Sequence, residues 1–163
     1  MATLLQFSKN MRSRASQVRN APVKITRKAA FAALKVAASG TPVDKGVARS
    51  NWRISIGART FAVIPAYAPG KNLGIDETAN LRATLAAGRA ALLTLTRSNA
   101  NSAAILTNNV EYIDLLDQGP PFTQQTSGGF VAAAAAAARI SVASTRIFVR
   151  ELGEFGRVEE DLF

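Results

Sequence analysis

The chain contains no cysteine and no histidine. These absences exclude disulfides, thiol nucleophiles, Cys/His metal sites and the usual general base near neutral pH. Carboxylates are scarce too. There are 11, and five of them (Glu151, Glu154, Glu159, Glu160 and Asp161) crowd the C-terminus. No apolar run approaches the roughly 20 residues needed to span a bilayer. No charged stretch followed by an apolar one reads as a signal peptide near Met1–Arg19, so the expected compartment is the cytoplasm during synthesis, with no membrane partner. Neither GxxxxGK[ST] nor GxGxxG is present, and no GxSxG elbow occurs. Asp114 and Asp117 stand three apart on one expected helix, where capping or a surface position explains them. The reading is a non-enzymatic protein without a cofactor or metal.

What is present suits one domain of 163 residues, 48% hydrophobic, with a net charge of +9. Lys9, Arg12, Arg14, Arg19, Lys24, Arg27, Lys28 and Lys35 all precede the first acid, Asp44, and the last 13 residues reverse the sign. A basic end can bind nucleic acid or an acidic surface. In a ring, it can also face the acidic end of the next copy.

The pattern along the chain predicts α+β: a small, mostly antiparallel sheet packed against a long N-terminal helix and a central helix, with a C-terminal alanine-rich helix. Residues 1–152 read as the single domain. Residues 153–163 read as a tail that neighbouring subunits hold in order. The first helix is expected over Ala2–Ala38, divided at Pro22. Its second half carries Ile25, Ala29, Ala32 and Val36 on one face. Lys24, Lys28 and Lys35 lie on the flank, with Phe31 beside them. Gly40 and Pro42 end the helix. Trp52, Ile54 and Ile56 alternate with polar residues, which predicts a strand over Asn51–Gly57. Thr60–Ile64 is a second candidate strand, and Pro65–Gly74 reads as a loop.

Asp76 and Glu77 favour a helix start, and Leu81, Leu85, Gly88, Leu92 and Leu95 form a helical stripe beyond them. Arg82 and Arg89 line its side. Ala103–Thr107 is expected as a central strand, and Val110–Gln118 as a short helix closed by Gly119. Seven alanines, Ala132–Ala138, make a helix from about Phe130 secure. They offer close approach of another backbone rather than much buried area. Ile140–Val149 is rich in β-branched residues and is open to a strand.

Two segments carry a longer pattern. Thr41-Pro42-Val43-Asp44-Lys45-Gly46-Val47-Ala48-Arg49-Ser50-Asn51-Trp52 resembles the form TPVDTG-x-x-R-x-x-W. Downstream, Ile105-Leu106-Thr107-Asn108-Asn109-Val110-Glu111-Tyr112 resembles the form I-x-N-x-x-x-Y, and is followed by Leu115-Leu116-Asp117-Gln118-Gly119 and by Gly128-Gly129-Phe130-Val131. Read for their physics, Pro42 and Gly46 bracket a turn in which Asp44 can bond backbone amides. Trp52 offers the largest apolar burial. Asn108 and Asn109 tolerate left-handed backbone, and Tyr112 can pack its ring while its hydroxyl finds a partner.

In this order the segments resemble the tail-component, or tail-completion, family of tailed bacteriophages, over about Thr41–Arg139. Lys45 departs from the common threonine, and Asp117-Gln118-Gly119 from an acid-aromatic-glycine run. The resemblance implies a virion protein of the neck, assembled in the host cytoplasm. It would be a ring of six copies between a connector or stopper protein and a tail terminator or tube protein, around the path of the packaged DNA. The candidate interface residues are Lys24, Lys28, Phe31 and Lys35; Gln118, Pro121, Phe122 and Phe130 around the Gly119–Gly129 loop; and Phe155 and Phe163 in the tail. Pro42, Asp44, Gly46, Trp52, Asn108, Tyr112 and Gly119 read as fold-determining. The alternative is a basic nucleic-acid-binding module.

Overall fold

The computed structural model describes residues 4–69 and 77–145, the side chain of Glu77 excepted. In chain order the elements are α1 (Leu4–Gly40), α2 (Val47–Ser50), β1 (Arg53–Ile56), α3 (Glu77–Leu93), β2 (Ala104–Thr107), α4 (Ile113–Gln118) and α5 (Phe130–Ser144). The fold is α+β and mostly helical. The long N-terminal helix and the central α3 pack on a two-stranded antiparallel sheet, and the alanine-rich α5 packs on the N-terminal helix.

Pro22 does not divide the first helix: α1 runs unbroken through it for 37 residues. The amide that proline lacks would have bonded the Val18 carbonyl. Pro22 and Val18 are both exposed, so water can reach that carbonyl and the helix tolerates the loss.

The alanines do what their size suggests. α5 packs on α1 more extensively than any other pair of elements. Phe130 and Ala134 are buried in one core with Ala33, Ala37 and Ala38 of α1. At the seam's end the Phe130 side chain lies directly over Gly40, where an added Cβ would meet its Cβ at 2.6 Å. Small residues on both faces let the two backbones approach closely, and dispersion across the seam substitutes for large side chains. α5 continues as helix to Ser144, so the strand option for Ile140–Val149 fails over its described part; residues 146–149 lie outside the described residues.

The strands pair with Arg53 opposite Thr107 and Ile56 opposite Ala104. β2 is therefore not a central strand. Its apolar character answers to α1, against which it packs. Thr60–Ile64 forms no ladder; it is an irregular, extended stretch. α4 begins three residues later than expected, at Ile113, after a turn in which the Ile113 amide bonds the Val110 carbonyl at 3.1 Å.

On α3, Leu92 and the following Leu95 are buried, and Gly88 is buried against Leu34. Leu81 and Leu85 lie at the core's margin. The innermost line is Asn80, Thr84, Gly88 and Leu92, so half of it is polar.

Candidate functional site

The two patterned segments, more than fifty residues apart, come together. Asn108 Nδ2 donates to the Ala48 carbonyl at 2.8 Å. β1, which follows Trp52, pairs with β2, which precedes Asn108. A groove of about 470 Å³ separates Pro42, Asp44 and Gly46 on one wall from Tyr112, Leu116 and Phe122 on the other.

The turn before α2 is fixed from below. Thr41 Oγ1 donates to the Ala37 carbonyl at 2.7 Å and accepts from Trp52 Nε1 at 2.7 Å. Buried Arg49 donates to the Thr41 carbonyl at 2.7 Å. Trp52 meets Phe130 edge-on, with centroids 6.3 Å apart. Gly46 sits at φ 79°, in the left-handed region, and any side chain there would strike the Asn80 amide. Asp44 does not hold the turn as the pattern suggested. It is exposed, and the Val43 amide bonds Gln125 Oε1 at 2.8 Å instead. That bond ties the turn to the loop beyond α4.

Behind the groove lies a buried polar network. Ser50 Oγ donates to Asn80 Oδ1 at 2.9 Å, and Asn80 also accepts from the Ala68 amide and donates to its carbonyl. Asn51 clasps Ile64, its Nδ2 donating to the Ile64 carbonyl and its Oδ1 accepting from the Ile64 amide, each at 2.8 Å, and Nδ2 also donates to the Val47 carbonyl. Asn109 Nδ2 donates to the Thr60 carbonyl at 2.8 Å. The stretch 60–68 is thus pinned by side-chain amides, with Phe61 and Val63 exposed between the pins. Asn108 and Asn109 act through these bonds rather than through unusual backbone angles. Asn80 and Thr84 escaped the sequence reading because polar residues in a helical stripe look like its outer face.

Of the candidate surface residues, Lys24, Lys28 and Lys35 are exposed along one face of α1. Phe31 is half-buried and occupied within the chain, with the Arg89 guanidinium 4.8 Å over its ring. Arg27 turns inward and donates to the Leu93 and Leu95 carbonyls, capping the end of α3 with positive charge. Gln118, Pro121 and Phe122 are exposed, and Phe122 lines the groove. Phe130 is a correction: it is a core residue, 4% exposed, because it closes the α1–α5 seam against Gly40 and Trp52. Tyr112 is a second one. Its ring is 44% exposed at the groove rather than packed. Partial burial, and then the negative charge of Asp44, push its phenol above the ordinary value. Gly119 ends α4 at φ 73°, where a side chain would strike Ser127. Phe155 and Phe163 lie outside the described residues.

Among the described residues, no group of three or more acidic side chains gathers at a distance suited to a metal ion. No helix among them is long and apolar enough to cross a membrane. No protein-family model, curated protein sequence or solved structure matches this chain.

Proposed function

We propose that this chain is a structural subunit of the neck of a tailed bacteriophage: a tail-completion or head–tail joining protein, six copies of which form a ring between connector and tail tube. The observation that carries the reading is the convergence of the two patterned segments. The Pro42–Trp52 and Ile105–Tyr112 stretches form one unit, locked by the Asn108–Ala48 bond and the β1–β2 ladder. Convergence is what a shared fold signature requires, and scattered placement on unrelated elements would have ended the case.

The surfaces fit work done by shape. The groove offers the exposed Phe122 and Tyr112 to a neighbour such as a stopper, terminator or tube protein. The lysine face of α1 offers positive charge to an acidic neighbour or to the DNA path. The reaction-free role, the virion location and the assembly in host cytoplasm belong to the same proposal. The test is mass measurement of purified particles, with localisation of the subunit by electron microscopy. Six copies at the neck are expected, and absence from virions overturns the proposal.

The exposed Lys24, Lys28 and Lys35 support a second reading, a nucleic-acid-binding module. It predicts that duplex affinity falls steeply with salt, with a log–log slope of about −0.9 per phosphate contacted. A slope near zero, together with ring formation, decides for assembly.

A further inference from the structure

The face of α1 that α5 covers does not end where α5 ends. Gly40, Ala33 and Ala29 lie along the covered line, and Pro22, Val18, Ala15, Met11 and Leu4 continue it. Every step is three, four or seven residues, the spacing that holds one side of a helix. On this continuation Leu4 is 88% exposed, and Met11 and Val18 about half so. An apolar line on a helix is ordinarily buried. Arg12 and Arg19 flank it on one side and Arg14 on the other.

We propose that residues 151–163 of the same chain dock on this line, extending the α1–α5 seam to the start of α1. Three features point to that occupant. First, direction: α5 starts over Gly40 and runs back along α1, and its 15 residues, at about 1.5 Å each, bring its end about level with Thr26. The remaining distance to Val18 is about 12 Å along the axis, and the six residue-to-residue steps from Thr145 to Glu151 can span about 20 Å. Second, chemistry: α1 carries Lys9, Arg12, Arg14 and Arg19 and no acid over its first 17 described residues, whereas residues 151–163 carry five carboxylates and one arginine. Third, pattern: Leu152, Phe155, Val158 and Leu162 recur every three or four residues among those acids, an apolar set matched to the line. A tether this short holds the segment at an effective concentration of the order of millimolar.

The chain's lack of cysteine makes the test clean. In the full-length protein, Met11→Cys with Phe155→Cys is oxidised and analysed by mass and by non-reducing gel. The expected product is a single chain lighter by two hydrogens. A ladder of disulfide-linked chains would assign the segment to a neighbour and overturn the proposal, as would reduced thiols that resist oxidation. Amide exchange gives a second readout that needs no cross-link. Phe155→Ser with Leu162→Ser should speed exchange across residues 4–18 by about tenfold and leave 29–38 unchanged. Unchanged exchange across 4–18 also overturns it. Neither failure touches the neck assignment, which stands on the groove segments.

Discussion

Between Val23 and Gly40, α1 buries Val23, Ala29, Ala33, Leu34, Ala37 and Ala38; between Leu4 and Asn20 it buries no residue. Each half mixes apolar and basic side chains, but six alanines fall between Val23 and Gly40 and one between Leu4 and Asn20. The difference lies in size and neighbours. The packed half is built of alanines because a second backbone lies against it. The open half carries leucine, phenylalanine, methionine and valine, which have more area to bury than any described element covers. Helix stability therefore comes from tertiary contact in the second half, whereas among the described residues the first rests on local propensity and on Arg97, which reaches Ser16 and Asn20.

Substitutions can sharpen or break this contrast. The largest effect belongs beneath the packed half. Trp52→Ala empties the space between Thr41 and Phe130 and should cost about 3–5 kcal/mol by urea unfolding. Next comes Asn80→Leu, which strands the Ser50 hydroxyl and both Ala68 backbone groups. A loss of about 2–3 kcal/mol is expected, and a neutral result would mean water substitutes in the network. Ala33→Leu overfills the α1–α5 seam and should cost about 1–3 kcal/mol; a stabilised protein would show that the seam is loose. In the open half, Phe7→Ser should move the global midpoint by less than about 0.5 kcal/mol. A cost as large as that of Ala33→Leu would erase the distinction between the halves.

The smallest effect concerns the groove. The Tyr112 phenol is raised in the folded chain, so its contribution is fully present below about pH 10, the ordinary tyrosine value, and is lost as pH rises through the higher folded value. Tyr112→Phe should flatten the fall in stability above that pH, and Asp44→Asn should reduce it in part.

Much of the architecture is legible in the residues alone. The alternation at Trp52, Ile54 and Ile56 marks β1, the alanine run marks α5, and Gly40 with Pro42 marks the end of α1. The misreadings share a cause: each depended on what lies opposite. Pro22 breaks a helix only where its neighbour's carbonyl is denied water. Phe130 looks like a surface anchor until Gly40 and Trp52 are set against it. Asn80 and Thr84 look solvated until Ser50 and Arg49 arrive from another segment. The groove's walls were legible as patterns, but their meeting depends on Asn108 reaching Ala48, which no local spacing encodes.

The clasp between Asn51, Asn109 and the stretch 60–64 has a consequence for the lifetime of the protein. Each primary amide there aims its N–H at a carbonyl, so spontaneous hydrolysis to a carboxylate would replace attraction with repulsion at the same spot. The segment bearing Phe61 and Val63 would then be released by slow chemical ageing. A freshly made molecule and an old one would differ first in this arm.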